Sequence, residues 1–388
     1  MQTKKQIDIA VLLDREIQYG RDILHGIMSF VRAKTSWVIH THRLSIKNLR
    51  KRSASSSSGI IVQSYCPEII QTIDAFSIPA VCIGSNWGND KIPSVNVDNV
   101  SVGKLAGKHF VERGFTNFGY FGGKKSNKSN QRESGFAQIL HQHGYDYRAF
   151  YKKIPLTSYT SEILEADNNQ LCQYLLSLPK PAAIFVYNDY RALMVNQACN
   201  HLDIGVPEEV AILGVDNDAD ACNLGYPPLS SIDMPKQQLG FEAMKMLHKL
   251  ICGEKLIQQS LSFTPLRVVV RLSSDITAIS DPDLILAMRF IREHVDTAIT
   301  VEDICDQLTI SRRKLEKLMK DKFGRSPLKE INRAHVERAK KLLAETNMKM
   351  PGVAAASVFN SPERLCVIFH RMTGLSPTDY RKRFHLLE

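Results

Sequence analysis

The stretch VEDICDQLTISRRKLEKLMKDKF, residues 301–323, decides the fold of the last part of the chain. Its apolar residues recur at helical spacing in two runs, which the short turn Thr309-Ile310 separates, and Thr300 and Ser311 are suitable N-caps. The second run, Arg312 to Phe323, carries arginine and lysine on the face opposite its apolar stripe. This pattern predicts a helix-turn-helix motif whose second helix faces DNA, because both side chains neutralise phosphates and bond to guanine edges.

A second, weaker motif of the same kind, Pro351 to Met372, follows a long helical stretch. That stretch begins at Pro327 and continues without a helix breaker to about Thr346. At about 1.5 Å per residue it spans roughly 28 Å, close to the roughly 34 Å of one DNA turn that separates two recognition helices. Taken alone, one basic amphipathic helix is at least as well interpreted as an ordinary solvated surface helix. Two motifs at this spacing instead predict a protein that binds two successive major-groove segments of one DNA site.

The chain closes with Phe369, Gly374, Pro377, Tyr380 and Arg381 in the order F-x-x-x-x-G-x-x-P-x-x-Y-R. With the tandem motifs, this ending resembles the AraC/XylS family of transcription regulators over about residues 281 to 383. The family therefore implies double-stranded DNA as a partner.

The resemblance also implies which side chains meet DNA. In the first motif it places base-reading positions at Arg313, Glu316 and Lys317, and phosphate contacts at Arg312 and Lys320. In the second motif it places base-reading positions at Glu363, Arg364, Cys366 and Val367. Val358 stands at a usual turn glycine and Val367 at a position that is often polar. We therefore expect the second motif mainly to position the protein, with Arg364 as the side chain that reads bases.

The first 270 residues alternate strand and helix patterns, which predicts parallel sheets with helices on both faces. The predicted strands are Ile7–Leu13, Gly59–Gln63, Ala80–Gly84, Ser94–Val97, Phe118–Gly122, Ala182–Tyr187 and Val210–Val215, and the clearest helices are Arg21–Ala33 and about Val100–Arg113. This length predicts two such sheets.

Short motifs at the ends of these elements form an ordered series. They are Asp98, Arg132 with Gly135-Phe136, Asn188-Asp189, Gly214-Val215-Asp216, and PPLSSI at 227–232. In this order they resemble the sugar-sensing domains of the LacI/GalR family, which have the periplasmic-binding-protein fold. The expected fold class is thus an α/β two-lobed periplasmic-binding-protein-like sensor with parallel sheets, followed by an all-α tandem helix-turn-helix domain.

The resemblance implies a sensor at residues 1–275, a linker at 276–283 and a DNA-binding domain at 284–388. Three segments would cross between the lobes of the sensor. The first lobe is expected at about 5–115 and 237–258, and the second at about 116–232 and 262–273.

The expected ligand-binding residues are Asp98, Arg132, Asn188 and Asp216. An arginine fork can hold two adjacent hydroxyls, while carboxylates and an amide supply the acceptors and donors that vicinal diols need. Each has a structural alternative: Asn188-Asp189 can cap a helix, Asp216 can be a turn carboxylate, and Arg132 can pair with Glu133. Trp87 is equally compatible with stacking on a sugar ring and with a position at the rim of the ligand cleft.

A LacI-type sensor before an AraC-type reader is an unusual order, and it resembles that of pentose-responsive activators. By resemblance only, xylose or another pentose is the expected effector, with a homodimer that recruits RNA polymerase as the working form. A non-pentose polar effector and a repressor remain alternatives.

Composition is compatible with this interpretation. The net charge of +10 and a pI of about 9.1 favour polyanionic partners. The eight cysteines contain no C-x-x-C pair, and the start lacks a signal-peptide pattern, so we expect a cytoplasmic protein without membrane, metal or cofactor.

Two rival classes fit less well. A transport receptor would need export and has no use for a basic helical tail. An enzyme is disfavoured because GGKKS at 122–126 lacks the glycine that a phosphate loop needs before its Lys-Ser pair, and no G-x-S-x-G elbow occurs.

Overall fold

The computed structural model describes residues 7–34, 37–43, 45–49, 57–64, 66–76, 78–85, 88–89, 91–124, 126–152, 168–275 and 281–384. Trp87 and residues 276–280 of the expected linker lie outside these ranges. The chain divides into two compact units, Met1–Asp275 and Ile276–Glu388.

The N-terminal unit contains two six-stranded sheets. The first has the order β11-β5-β4-β3-β1-β2 and the second the order β12-β10-β9-β8-β6-β7. The strands of the first sheet are β1 Asp8–Leu13, β2 Val38–Arg43, β3 Gly59–Ser64, β4 Ala80–Gly84, β5 Ser94–Val97 and β11 Ser260–Phe263. Those of the second sheet are β6 Asn117–Gly123, β7 Tyr147–Lys152, β8 Ala182–Val186, β9 Val210–Val215, β10 Ser230–Asp233 and β12 Arg267–Val269. Every pairing is parallel except that of β10 with β12.

Helices join the strands, as the alternating pattern predicted. They are α1 Gln18–Lys34, α2 Ile46–Leu49, α3 Pro67–Asp74, α4 Asn99–Val111, α5 Asn127–Gln142, α6 Asn168–Ser177, α7 Asp189–His201, α8 Ala219–Leu224 and α9 Lys236–Ile251. The central strands β8 and β9 are buried along their whole length, which explains their unbroken apolar sequences.

Two helices of the N-terminal unit touch backbone to backbone. A Cβ on Gly103 of α4 would lie 1.9 Å from the carbonyl oxygen of Arg132, and one on Gly135 of α5 would lie 2.0 Å from that of Val100. No other residue type fits at either position without moving a helix. The contact therefore fixes the part of α5 that carries Arg132.

The chain passes between the two sheets three times, and the sheets divide the chain at different residues from two of the expected lobe bounds. Residues 99–115 were expected in the first lobe, yet α4 packs on α5 and also contacts β8 and β12 of the second sheet. The first crossing thus lies at Asp98, and Gly103 and Gly107 of α4 pack directly against α5. Residues 262–263, expected in the second lobe, belong to β11 of the first sheet.

The C-terminal unit is entirely helical in its described residues. Its helices are α10 Pro282–Glu293, α11 Val301–Leu308, α12 Arg312–Phe323, α13 Pro327–Glu345, α14 Met350–Ala356, α15 Pro362–Thr373 and α16 Pro377–Phe384. The predicted caps are present: Thr300 forms a capping box with Asp303, and Ser311 accepts the backbone N–H group of Lys314. Ser361 likewise caps α15 by accepting the N–H group of Arg364.

A buried charge cluster joins the first recognition helix, α12, to the connecting helix, α13. Glu330 of α13 is 2% exposed and accepts hydrogen bonds from Arg325 Nε and, at 2.8 Å, from Arg333 Nε. The Arg325 guanidinium lies 5.2 Å from the ring centroid of Phe323, the last residue of α12. One carboxylate therefore anchors the turn between the two helices.

Candidate functional site

Arg132 and Asp216, two of the four expected ligand-binding residues, meet between the lobes. Arg132 Nη2 lies 3.9 Å from Asp216 Oδ1, and the two side chains are 6% and 19% exposed. Arg132 Nε donates to Asn99 Oδ1 at 3.0 Å, and Nη1 donates to the carbonyl oxygen of Tyr187. The expected alternative partner, Glu133, instead accepts hydrogen bonds from Tyr147 and Tyr151. This pair lies beside the carboxyl ends of parallel strands, where open α/β sheets bind ligands.

Asp216 has an unfavourable backbone conformation. Its φ is +105°, a region that L-residues avoid at a cost of about 1–3 kcal/mol. Its N–H donates to the Ile232 carbonyl at 3.0 Å, and its own carbonyl accepts from Lys236 Nζ at 2.8 Å. Burial raises the pKa of the Asp216 carboxyl, although Arg132, Lys236 and Lys128 oppose the shift. A strained, partly buried carboxylate in a cleft is more typical of a ligand-binding residue than of an ordinary turn.

Asp98 and Asn188, the other two, both serve as helix caps. Asp98 caps α4 and accepts hydrogen bonds from the backbone N–H and hydroxyl of Ser101. Burial acts to raise the pKa of Asp98, but these bonds outweigh it and lower the pKa. Asn188 caps α7, and its Oδ1 accepts from Arg191 N–H at 3.1 Å and Nη1 at 2.9 Å. The cap alternative is confirmed for Asn188, and a ligand contact by either residue stays a prediction.

A cavity of about 10 Å³ lies at this place between the lobes. It is lined by Tyr19, Gly84, Val95, Asn96, Val97, Asn99, Lys128 and Arg132. Small-molecule sites usually begin at about 300 Å³, so this conformation is contracted and a ligand needs the side chains or lobes to separate.

Several polar residues near the cavity were missed from sequence: Tyr19, Asn96, Asn99, Lys128, Tyr187 and Arg191. Asn96 is the penultimate residue of β5, and Tyr19 and Lys128 lie in the first turns of α1 and α5, so an inspection of the residues around strand ends would include all three. The guanidinium carbons of Arg132 and Arg191 lie 5.2 and 5.1 Å from the Tyr187 ring centroid. Burial acts to raise the pKa of Tyr187, but Lys128, Arg132 and Arg191 outweigh it and lower the pKa.

A second group of contacts holds the lobes together beside Asp216. Gln18 of α1 donates its N–H to Asp218 Oδ2 at 3.1 Å, and its Oε1 accepts the N–H of Ala219 at 2.7 Å. Lys236 Nζ lies 2.9 Å from Asp22 Oδ2 and also bonds the carbonyl of Asp216. Lys236 thus links the strained residue Asp216 to Asp22 in α1 of the first lobe.

Asp189 supports the loop that carries Asp216. Its carboxylate accepts hydrogen bonds from the Ser231 hydroxyl at 2.6 Å and the Asp218 N–H at 2.8 Å. Burial, with the nearby charge of Asp216, raises the pKa of Asp189 to about 8. It is 1% exposed, so its role is to position the loop.

The residues expected to meet DNA in the first helix-turn-helix motif are all exposed. On α12 they are Arg312, Arg313, Glu316, Lys317 and Lys320, while Leu315 and Met319 on the opposite face are fully buried. Arg312 forms ion pairs with Glu302 and, at 2.9 Å, with Glu316. Arg313 and Lys317 project from the free face of the helix.

The second motif exposes Glu363, Arg364, Cys366 and Val367 on α15, above a buried face of Leu365, Ile368 and Phe369. Val358, noted as a substitute for the turn glycine, has φ +63°. The turn therefore keeps the backbone conformation of a glycine despite the β-branched side chain.

Among the described residues, no helix is long and apolar enough to cross a membrane, and no three His, Cys, Asp or Glu side chains are grouped so that they could hold a metal ion.

Comparisons with known proteins agree with both units. Residues 108–274 match the family described as periplasmic binding protein-like domain, and residues 304–383 match the helix-turn-helix domain family. The chain is therefore a DNA-binding transcription regulator, not an enzyme, that joins a periplasmic binding protein-like domain to an AraC-type helix-turn-helix domain.

Its full-length relatives are sugar-operon regulators. It is 26% identical to the xylose operon regulatory protein of Haemophilus influenzae over 98% of this chain and 99% of that protein. It is 27% identical to the protein of the same name from Escherichia coli K12, over 97% of each. A solved structure of the xylose-binding transcription activator XylR aligns with a TM-score of 0.81 at 25% identity, covering 98% of this chain and 99% of that one.

Proposed function

We propose that this regulator activates genes for pentose catabolism, with xylose as the first effector to test. The observation that carries the proposal is the full-length similarity to xylose operon regulators, which includes both the cleft and the tandem motifs. Arg132 and Asp216 would grip adjacent hydroxyls, and Tyr187 offers an aromatic face beside them.

The mechanism we propose is a population shift between open and closed lobes. A sugar that bonds both lobes stabilises the closed form, and it can shift the equilibrium only by its difference in affinity for the two forms. In a cytoplasmic homodimer, closure would change the spacing of the DNA-binding ends, and Arg313, Glu316, Lys317 and Arg364 would read bases. RNA polymerase is the proposed target of the bound activator.

The test measures operator binding by the full chain in a gel-shift titration, with and without D-xylose, L-arabinose, D-ribose and D-glucose. A pentose-dependent change in affinity or in the length of the footprint is expected. Unchanged affinity and footprint with every sugar would refute the coupling. Transcription in vitro distinguishes activation from the alternative, repression.

A further inference from the structure

Arg312, the first residue of the recognition helix α12, is held between two carboxylates. Its Nε donates to Glu316 Oε1 at 2.9 Å, one turn later on the same helix. Its Nη1 donates to Glu302, which lies in the first turn of α11. The hydrogen bond to Glu316, followed by the charge of Glu302, raises the pKa of Arg312. One guanidinium therefore joins the recognition helix to the helix before it.

This pairing changes the role expected of Arg312. The family resemblance implies a phosphate contact, but the cluster with Glu302 and Glu316 carries one positive and two negative charges and so does not attract a phosphate. Among the described residues of this unit, Arg313 and Lys320 form no such ion pair. They remain available to DNA, whereas the charge of Arg312 is already neutralised within the protein.

The cluster restricts the Glu316 side chain. A single exposed ion pair is weak, but a rigid guanidinium that bonds two carboxylates limits the rotation of both. Recognition helices contact base edges with their N-terminal residues, and Glu316 lies in the second turn of α12. The Glu316 carboxylate is thus held near the end of the helix that enters the major groove.

A carboxylate at this place discriminates strongly among the bases. Guanine and thymine present acceptor oxygens in the major groove, which repel it. Adenine presents its N6 amine beside the acceptor N7, whereas cytosine presents its N4 amine without a neighbouring acceptor. Cytosine is therefore the base that a fixed carboxylate accepts best.

We propose that Arg312 is a positioning residue, which holds the Glu316 carboxylate in the orientation that selects cytosine and does not itself contact a phosphate. The proposal rests on the base-reading role proposed above for Glu316 and names the base that it selects. Without Arg312, the Glu316 carboxylate rotates into solvent and the preference for cytosine is lost, while the other DNA contacts persist.

The test is in vitro selection of random-sequence duplex DNA by the full chain, with and without D-xylose, followed by gel-shift titrations of the selected site at several salt concentrations. Glu316→Ala should lose a preference for cytosine of about 10-fold, and the affected base pair identifies the position that Glu316 reads. Arg312→Ala and Arg312→Lys should each reduce that preference below about 3-fold. Lys314→Ala is the matched control, because it removes a positive charge of the same helix that is paired with Asp283 of α10 at 2.5 Å, and it should keep the preference.

Arg312→Lys separates positioning from a phosphate contact. Lysine keeps the charge that a phosphate needs, but its single ammonium lacks the rigid fork that holds two carboxylates. If Arg312→Lys keeps the cytosine preference, the positioning role is overturned while base reading by Glu316 stands. It is overturned equally if Arg312→Ala keeps the preference and lowers the slope of log affinity against log salt by about 0.9, the value of one phosphate contact.

The Glu316 variants test the role on which the proposal rests. If Glu316→Ala selects the same sequence as the unmodified chain, base reading by Glu316 falls and the positioning role falls with it. If the unmodified chain selects another base at the affected position, the assignment of cytosine is overturned. Arg312→Ala combined with Glu316→Ala should discriminate no less than Glu316→Ala alone, because the two residues act through one contact.

Discussion

The buried Glu330 makes a sharp prediction about the DNA-binding unit. Glu330→Gln keeps the size of the side chain but removes the negative charge that Arg325 and Arg333 share. Removing one partner of a buried ion pair costs about 3–5 kcal/mol. The side chains of Arg325 and Arg333 retain 24% and 15% exposure. Water therefore partly solvates the two guanidinium groups once the negative charge of Glu330 is removed. The expected loss of stability is accordingly about 2–3 kcal/mol.

Hydrogen exchange of the full chain is the suitable assay, because both tryptophans, Trp37 and Trp87, belong to the other unit and do not report on this one. A loss of about 2–3 kcal/mol accelerates exchange of protected amides about 30- to 150-fold. The effect should appear in peptides that cover α12 and α13. Glu337→Gln is the matched control on α13, because Glu337 and its partner Lys340 are each 27% exposed and such a pair contributes less than about 1 kcal/mol.

The same cluster predicts a pH dependence. Burial acts to raise the pKa of Glu330, but Arg333 and Arg325 outweigh it and lower the pKa below its ordinary value of 4.5. A carboxyl whose folded pKa is depressed stabilises the fold above its unfolded pKa and loses that effect as pH falls through the folded value. The difference between wild type and Glu330→Gln should therefore be full at pH 7 and shrink below pH 4.5. Equal acceleration by Glu330→Gln and Glu337→Gln at pH 7 would refute the argument.

Three further predictions concern the cleft and the DNA contacts. Gln18→Ala removes the hydrogen bond between the Gln18 Oε1 and the Ala219 N–H and should weaken effector binding about 2- to 12-fold, as measured by calorimetry, while the exposed Gln138→Ala should not. Arg313→Ala should reduce discrimination between operator and random DNA by about 1–3 kcal/mol in competition gel shifts and leave effector binding intact. Asp216→Ala should weaken effector binding and leave that discrimination intact. Equal damage to both activities by both variants would contradict separate sites. Because the pKa of Asp189 is raised to about 8, its protonated form stabilises the fold at low pH and that advantage is lost as pH rises toward 8. In urea unfolding followed by tryptophan fluorescence, the advantage of wild type over Asp189→Asn should thus shrink between pH 5 and 8, and a constant difference would contradict it.

The sequence predicted the helical unit closely because its signals are local. Ser311 and the glycine at 324 bound α12 at the predicted residues, and Pro327 starts α13. Caps, breakers and the helical repeat act within one or two turns, so reading them needs no knowledge of distant contacts.

Edge strands were harder to predict. The predicted strands do not include β2, β7, β11 and β12, which lie at the edges of the two sheets, or the short strand β10 beside β12. Edge strands that alternate between exposed and partly buried residues have a weaker apolar pattern than the continuously buried β8 and β9. The position of the first crossing was also wrong, because it depends on which helix the small residues of α4 contact, and that is a tertiary property.

The candidate site was predicted only in part, because tertiary contacts bring several of its residues together. Family motifs identified Arg132 and Asp216, but Lys128 and Tyr187 belong to no short motif and become recognisable only when their distances to Gly84 and Arg132 are known. Asp98 and Asn188 both cap helices, so a polar residue at a strand end does not by its sequence position alone indicate a ligand contact.

The glycine contact between α4 and α5 connects the first crossing between the lobes to Arg132, the expected ligand-binding residue. Gly103 and Gly135 hold the two helices backbone to backbone, and α4 begins immediately after the crossing at Asp98. The backbone that carries Arg132 is therefore packed directly against the helix that begins at the crossing, with no side chain between them. Alanine at either glycine would force the two helices apart, and we expect effector binding to persist while its effect on DNA binding is lost.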